Sequence, residues 1–304
     1  MTKEFYSNGK LLLTGEYAIL DGAIGLAVPT KYGQTLKVSS IKSKNLIWKS
    51  LDDKGETWFS TSVGFTKILD DKKKTSDESV HNVLLNLLRE AKKLNPDFLT
   101  GDSGFEVETE LGFPRDWGLG SSSTLINNIA QWAEVDAFQL LWNAFSGSGY
   151  DIACAQNNTP ILYQVKEKVP TIKPVVFNPS FKEQLFFIHL DKKQNSREGI
   201  AQYRKMEFDS DRLIESITTL TLEIAKSEDL ATFSTLVERH EALLSQILQT
   251  KTIKQQLFPD YLGSIKSLGA WGGDFILATG NNDTPEYFKK KGFYTVIPYA
   301  NMVL

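Results

Sequence analysis

The sequence has almost no cysteine and no long apolar run. Cys154 is the only cysteine among 304 residues, which excludes an intramolecular disulfide and a zinc site built from clustered cysteines. No apolar stretch approaches the roughly 18 residues of a membrane-spanning helix, and residues 1–4 lack the apolar core of a secretory signal. We therefore expect a cytoplasmic protein without a membrane partner.

An excess of basic residues is also missing. Lys and Arg number 34 against 37 Asp and Glu, which gives a net charge of −3 and a pI of about 5.8. A nucleic-acid-binding protein usually presents a basic face, so we expect no nucleic-acid partner. The chain is 41% hydrophobic and 23% charged, and at 304 residues it is long enough for two domains. Assembly into a homodimer is left open.

The most informative segment is 114–124, with the sequence PRDWGLGSSST. It follows a predicted strand, Gly104–Thr109, and precedes a predicted helix, Leu125–Glu134. Backbone N–H groups of such a glycine-rich turn, together with the positive end of the helix dipole, form a site for an anion. The alternative is an ordinary glycine turn with a serine N-cap. The residues alone leave both interpretations open, although three consecutive serines exceed what a cap needs.

The same segment resembles the motif Pro-x-x-x-Gly-Leu-Gly-Ser-Ser of the GHMP kinases, which include galactokinase, homoserine kinase, mevalonate kinase and phosphomevalonate kinase. It is not a Walker A loop, because no Gly-Lys-Ser/Thr follows the glycines. The resemblance implies ATP and Mg²⁺ as cofactors, with Ser121 and Ser122 as metal ligands. The ATP-binding residues that it implies here are Pro114, Gly118, Leu119, Gly120, Ser121, Ser122 and Ser123.

A second motif lies near the N-terminus, where Gly9-Lys10 precedes the apolar run Leu11–Leu13 and Gly15-Glu16-Tyr17 follows it. The run predicts a buried strand, so Lys10 must reach solvent or meet an anion. A lysine at a strand edge is the simpler alternative. The segment is similar to the first GHMP motif, which implies that Lys10 approaches the reacting phosphate and that Glu16 and Tyr17 face the acceptor.

A third motif begins at Lys266 and reads Lys-x-x-Gly-Ala-x-Gly-Gly-Asp. Clustered glycines alone indicate a tight turn. The resemblance implies that the loop closes over the phosphates, and Trp271 stands where the family usually has glycine. The ATP-binding residues that it implies are Gly269, Ala270, Gly272 and Gly273.

The segment Gly147-Ser148-Gly149-Tyr150-Asp151 resembles the place where mevalonate-type kinases carry a catalytic aspartate. Asp151 would then take the proton of the acceptor hydroxyl, and Ser148 would contact the acceptor. Dipole compensation at a helix start is the alternative for this aspartate. The chain is shorter than usual between the serines and Asp151, and Leu140 and Leu141 occupy the neighbourhood where some relatives carry a Mg²⁺-binding glutamate.

The acceptor is the least specified part of the expectation. By resemblance, Lys193 and Arg197, in the turn after the predicted strand Gln184–Leu190, approach the acceptor, and a charged surface loop is the alternative. Motif details favour phosphomevalonate, with mevalonate next. A homoserine or sugar kinase, a diphosphomevalonate decarboxylase-like enzyme and a non-catalytic nucleotide-binding paralogue remain alternatives.

The implied fold is α+β, with two domains: a ribosomal-protein-S5-like domain over residues 1–172 and a ferredoxin-like domain over residues 173–304. Residues 166–174, with two prolines, contain the predicted boundary. His189 and His240 lie on apolar segments and are interpreted as core residues. Core packing is also favoured over base stacking for the aromatic residues Trp48, Trp58 and Phe59. Periodicity predicts helices over Ser79–Leu94, Asp136–Phe145, Asp211–Ala225, Asp229–Gln249 and Tyr261–Leu268.

Overall fold

The computed structural model describes residues 2–68, 79–192 and 196–304, with the backbone alone at Ser196 and Arg197. These residues form eleven strands, eleven helices and two short 3₁₀ helices, Ala18–Asp21 and Lys182–Gln184. The strands are β1 Thr2–Leu12, β2 Gly25–Ile41, β3 Asn45–Leu51, β4 Thr57–Gly64, β5 Gly104–Leu111, β6 Ile161–Lys166, β7 Val169–Pro174, β8 Leu185–His189, β9 Ile265–Ser267, β10 Phe275–Thr279 and β11 Val296–Pro298. The helices are α1 Phe65–Ile68, α2 Val80–Leu94, α3 Ser121–Ala133, α4 Ala137–Ala144, α5 Tyr150–Gln156, α6 Ser196–Tyr203, α7 Ser210–Ala225, α8 Leu230–Leu248, α9 Ile253–Leu257, α10 Thr284–Lys290 and α11 Tyr299–Met302.

The chain divides into two compact units that are interleaved along the sequence. Of the described residues, the first unit takes those within 2–9, 32–115 and 120–156, and the second takes those within 10–31, 116–119 and 157–304. The unit boundaries fall inside β1, inside β2 and inside the glycine- and serine-rich segment. The predicted division of the sequence at residue 172 stays a prediction.

The first unit is a sheet covered by helices. Its strands lie in the order β4, β3, β5 and the second half of β2, and only the pairing of β3 with β5 is parallel. Helices α2, α3, α4 and α5 pack on one another. Trp48, on β3, is almost fully buried and donates its indole N–H to Ser50 Oγ at 3.0 Å. The interpretation of Trp48 as a core residue is confirmed.

The second unit contains a four-stranded antiparallel sheet in the order β11, β8, β10, β9. Helices α7 and α8 pack on each other, and α8 also packs on β9. In the same unit, residues 25–27 of β2 pair with β6, which pairs in turn with β7. The mixture of antiparallel sheet and helices agrees with the α+β class expected from the sequence.

Side-chain caps set the helix starts that the sequence predicts. Ser79 accepts the Asn82 N–H before α2, Asp136 accepts two N–H groups before α4, and Asp229 accepts the Thr232 N–H before α8. An accepting oxygen at this position satisfies one of the N–H groups that a helix start leaves without an intrahelical partner. Among the described residues no helix is long and apolar enough to cross a membrane.

The predicted helix at Tyr261–Leu268 is wrong. This segment is a turn followed by β9, whose three residues are buried and pair with β10. The backbone of Gly263 lies so close to the Thr279 carbonyl that a Cβ would overlap it. A short apolar run of this length fits a helix and a strand equally well by periodicity, and the glycine that permits close approach to the neighbouring strand was the missed signal.

The segment that contains the predicted domain boundary is the second half of a β-hairpin. Glu167 and Lys168 both have positive φ, 51° and 60°, and form the two-residue turn between β6 and β7. Positive φ at both positions suits the tight turns that match strand twist. Strand β7 lies at the end of its sheet, where Pro170 and Pro174 are tolerated because an edge strand leaves backbone groups unpaired.

A glycine substitution tests the parallel pairing of β3 with β5. A Cβ at Gly104 would overlap the carbonyl oxygens of Ser43 and Asn45, whereas the nearest atom to a Cβ at Gly64 is 3.6 Å away. We expect Gly104→Ala to lower the free energy of unfolding by at least about 2 kcal/mol and Gly64→Ala to change it by less than about 0.5 kcal/mol. Urea unfolding measures both, and equal effects would contradict the close approach.

Candidate nucleotide and acceptor site

Lys10 joins the first motif to the glycine-rich segment inside the second unit. Its backbone N–H donates to the Leu119 carbonyl at 3.0 Å, and its Nζ donates to the Gly118 carbonyl at 2.9 Å. Lys10 is half-buried near the end of β1. Lys10, which the resemblance assigned to the reacting phosphate, therefore contacts Gly118 and Leu119, which it assigned to ATP.

The third motif reaches the same glycine. A Cβ at Gly118, whose φ is 66°, would overlap the side chain of Asp274. Asp274 has φ 50°; its backbone N–H donates to the Lys192 carbonyl and its carbonyl accepts the Leu190 N–H, each at 2.8 Å. Glycine is thus required at 118 both by its backbone conformation and by the neighbouring carboxylate.

In the first unit, the serines form the first turn of α3. The N-cap is Gly120, with φ 89°, and the helix begins at Ser121 with no acidic residue in its first turn. Thr124 donates its hydroxyl to Gln34 Oε1 at 2.7 Å, which fixes this turn against β2. Ser122 is exposed. A thirteen-residue helix that begins with a glycine cap and hydroxyl side chains presents N–H groups and a positive dipole end suited to an anion.

Asp151 lies in the first turn of α5, which packs against α3 in the same unit. Gln156 Nε2, at the end of α5, donates to Asn127 Oδ1 at 2.9 Å, and Asn127 Nδ2 donates to Ser7 Oγ at 2.8 Å. Ser148, just before the helix, is buried. The helix carrying Asp151 is therefore held against the helix of the glycine- and serine-rich segment, while the roles of Asp151 and Ser148 stay predictions.

The second unit also holds a buried ion cluster that the sequence reasoning missed. The Lys266 ammonium is fully buried and lies 2.5 Å from Glu16 Oε1 and 3.3 Å from Glu241 Oε1. Ser267 donates its hydroxyl to Glu241 Oε2 at 3.1 Å. The sequence signal was charge at core positions: Glu241 lies on the buried face of α8, and Lys266 lies on a strand whose three residues are all buried. Glu16 was predicted to face the acceptor; its carboxylate is bonded to Lys266.

His240 completes this cluster. Its ring is fully buried, as predicted, but its Nε2 also accepts the Gly15 N–H at 3.2 Å and lies 3.5 Å from Glu16 Oε2. Burial and then the Lys266 charge hold the pKa of His240 well below its usual range, so the imidazole is neutral. The interpretation as a core residue is therefore confirmed but incomplete. His189 is a satisfied core histidine, within 3.1 Å of Asp191 Oδ1 and 3.2 Å of the Asp116 carbonyl.

Aromatic side chains surround Tyr17. Its ring stacks on Tyr203 with centroids 5.4 Å apart, and its hydroxyl accepts the Trp271 backbone N–H at 3.2 Å. Trp271 is buried in the same apolar cluster as Tyr17 and Tyr203. The tryptophan that replaces the family's usual glycine is thus packed against the first motif, and burial raises the pKa of Tyr17.

The predicted cationic turn after β8 is only partly described. Lys193 lies outside the described residues, and Arg197 lies in α6 with no description of its side chain. Their contacts with an acceptor stay predictions. In the first unit, the Arg115 guanidinium lies 3.8 Å from the ring centroid of half-buried Trp58, so Trp58 is not a fully buried core residue and its ring packs against this cation.

The described residues contain no cluster of three or more His, Cys, Asp or Glu side chains able to hold a metal. Leu140 and Leu141, in the neighbourhood where the resemblance places the Mg²⁺-binding glutamate of some GHMP kinases, are buried in α4. The donors available to Mg²⁺ from the predicted set are the hydroxyls of Ser121 and Ser122. Since Mg²⁺ keeps several waters and is commonly held by few protein ligands plus substrate phosphates, this donor set fits a phosphate-bound ion.

Solved structures with a similar fold include several small-molecule kinases. The chain has the two-domain fold of the GHMP kinases. It is similar to a Methanococcus jannaschii mevalonate kinase at TM-score 0.72 and 15% identity, covering 96% of this chain and 94% of that one. It is also similar to a Streptococcus pneumoniae phosphomevalonate kinase in complex with phosphomevalonate and AMPPNP, at TM-score 0.69 and 17% identity, covering 99% and 98%.

A Lactococcus lactis galactokinase complexed with galactose shares the fold at TM-score 0.67 and 15% identity, over 95% of this chain and 88% of that one. No protein-family model matches the sequence, and a search of curated proteins found no significant match. The fold predicted from the three motifs is confirmed. Because the sequence identities are below 25%, these similarities establish the fold alone.

Removing the buried ammonium tests the ion cluster. Lys266→Met would leave Glu16 and Glu241 buried without a counter-charge, so we expect the free energy of unfolding to fall by about 3–5 kcal/mol. Lys254→Met is the matched control, because Lys254 is partly exposed and lies 3.7 Å from Glu238; we expect a change below about 1 kcal/mol there. Equal losses in urea unfolding would show that Lys266 is not buried as described.

Proposed function

We propose that the protein is an ATP-dependent kinase that phosphorylates a small molecule. The observation that carries this proposal is the pair of hydrogen bonds from Lys10 to the carbonyls of Gly118 and Leu119. The bond to Gly118 holds the Lys10 ammonium at this glycine-rich segment. Two residues further along the chain, Gly120 caps α3. Glycines that permit close backbone approach, a cation and a helix start are the features that a polyphosphate requires.

In the proposed reaction, an oxygen of the acceptor attacks the γ-phosphorus of ATP, the bond from that phosphorus to the β–γ bridging oxygen breaks, and ADP leaves. Where the acceptor is a hydroxyl, as in mevalonate, Asp151 accepts its proton at the carboxylate; a phosphate acceptor is already ionised near neutral pH, and Asp151 then only orients it. Lys10 offsets negative charge on the phosphates, and the N–H groups at the start of α3 bind them. Mg²⁺, held on the phosphates and by the hydroxyls of Ser121 and Ser122, would neutralise charge on the transferred group.

The acceptor that we favour is phosphomevalonate, followed by mevalonate. Solved structures with this fold include a phosphomevalonate kinase with phosphomevalonate bound and mevalonate kinases, and the Gly-Asp end of the third motif favours the first of these by resemblance. Lys193 and Arg197 supply the positive charge that a phosphorylated acceptor needs.

A nucleotide-binding paralogue without turnover is the second candidate. Two observations favour it: buried leucines lie where relatives carry a metal-binding glutamate, and the Asp274 carboxylate packs on Gly118. The two candidates share the ATP site and differ in catalysis, so binding and turnover must be measured separately.

Ser122→Asp tests the anion site with opposite effects on folding and on binding. An aspartate in the first turn favours α3 through the helix dipole, while its charge repels a polyphosphate. We expect the ATP affinity to fall at least about tenfold, or 1.4 kcal/mol, with thermal stability unchanged or higher. Ser122→Asn is the neutral control. Equal ATP affinities of the two variants by calorimetry would refute binding at this helix start.

Asp151→Asn tests turnover. With a hydroxyl acceptor we expect phosphorylation to fall by about 10²–10⁴ with ATP affinity retained, because the amide keeps the shape and cannot take the proton. Asp136→Asn, at the cap of α4, is the control. The assay supplies ATP-Mg with phosphomevalonate, mevalonate, homoserine or galactose, and scores ADP, phosphorylated product and CO₂ separately.

The outcomes of that assay distinguish the alternatives. Acceptor-dependent CO₂ release would identify a decarboxylase-like enzyme, and nucleotide binding without acceptor-dependent ADP would favour the non-catalytic paralogue. Full activity of Asp151→Asn with a hydroxyl acceptor would show that Asp151 only starts α5.

A further inference from the structure

The buried ion cluster carries one negative charge too many. Its formally charged members are one ammonium, Lys266, and two carboxylates, Glu16 and Glu241, all of them at most 3% exposed. His240 beside them is neutral. An uncompensated charge in a protein interior is unfavourable by several kcal/mol, so the cluster favours the uptake of one proton.

Hydrogen bonding shows which carboxyl group takes that proton. Both oxygens of Glu241 have a donor: Lys266 at 3.3 Å for Oε1 and the Ser267 hydroxyl at 3.1 Å for Oε2. Glu16 has a donor at Oε1 only, because Oε2 has no hydrogen-bond partner among the described residues. Donors favour the charged form of a carboxyl group. Burial raises the pKa of both groups, so the proton goes preferentially to Glu16, which has fewer donors.

The neighbour of Glu16 Oε2 supports this assignment. That oxygen faces His240 Nε2 at 3.5 Å, and Nε2 already accepts the Gly15 N–H. A proton on Nε2 would point at this N–H, so Nε2 carries a lone pair and the ring proton is on Nδ1. A lone pair of nitrogen then faces an oxygen of an ionised Glu16, which is repulsive. A hydrogen on Oε2 removes this repulsion and shares the one lone pair of Nε2 with the Gly15 N–H.

We propose that Glu16 is a positioning residue that holds a proton on Oε2, directed at His240 Nε2, and by this neutral form fixes the turn of the first motif to α8 and β9. Gly15 is bonded to His240, Glu16 to Lys266, and Tyr17 to the third-motif loop through the Trp271 N–H. Loss of this proton returns the excess negative charge to the cluster that joins the first and third motifs, and it loosens the Gly15–Tyr17 turn. The inference is independent of the kinase proposal.

The pKa of Glu16 is shifted in the direction that this proton assignment requires. The charged or titratable groups that face it are His240 and Glu241 from α8, Lys266 from β9 and Tyr17 beside it. Burial raises the pKa of Glu16 from its ordinary value of 4.5 to about 7, and Lys266 opposes this rise. Because the folded protein binds the proton more tightly than the unfolded chain, the stability contributed is full below about 4.5 and is lost as the pH rises through about 7.

The test is a pH titration of the ¹³Cδ resonance of Glu16, assigned by its loss in Glu16→Gln and recorded on the full chain without nucleotide or acceptor. We expect a midpoint near 7, and in Glu241→Gln a midpoint shifted well to acid, because one carboxylate then balances Lys266. Glu215→Gln, on the exposed side of α7, is the control and should leave the midpoint unchanged. A wild-type midpoint near the ordinary value of 4.5, or no shift in Glu241→Gln, would overturn the proposal.

Stability and exchange give readouts of the positioning role. Glu16→Gln imitates the neutral acid, so from about pH 5 to about pH 8 the wild type should lose unfolding free energy relative to this variant. Amide exchange of Gly15 and Trp271, corrected for the intrinsic acceleration with pH, should rise over the same range in the wild type and not in Glu16→Gln. Parallel pH dependence of stability and exchange in the two proteins would overturn the role even if both variants fold.

Discussion

The burial of one ammonium is the constraint on which the second unit depends. Lys266 lies on a strand with no exposed residue, and its partners are 250 and 25 positions away in sequence. A charge with no access to water must be neutralised where it lies. The turn after β1 and the face of α8 are therefore held against β9, and the first and third motifs come together.

Backbone groups add further contacts between the motifs to the one made by the Glu16 and Lys266 side chains. Lys10 donates to two carbonyls, Asp274 is fixed by its own N–H and carbonyl, and Trp271 bonds Tyr17 with its backbone N–H. Backbone contacts of this kind tolerate much variation in side chains. This explains how a chain at 15% identity keeps the fold of a mevalonate kinase.

Local patterns predicted much of the fold. Caps and apolar periodicity gave α2, α7 and α8 to within a residue or two, because those signals are contained in one segment. The helix prediction for Tyr261–Leu268 was wrong, because pairing with β10, which is distant from local sequence signals, makes part of this segment a strand. The ion cluster was missed for the same reason: Glu16 and Lys266 are 250 positions apart, and no local pattern around Glu16 indicates this partner. The glycine- and serine-rich segment was recognised because strand, turn and helix follow one another directly.

The contact between Gly118 and Asp274 affects what conservation of this glycine can mean. A side chain at 118 is excluded by a neighbour inside the protein and by a left-handed backbone, before any phosphate is considered. Folding alone therefore requires this glycine, whatever the protein binds. Conservation of Gly118 among related sequences would thus reflect the architecture, whereas conservation of exposed Ser122, which folding does not require, would reflect a function.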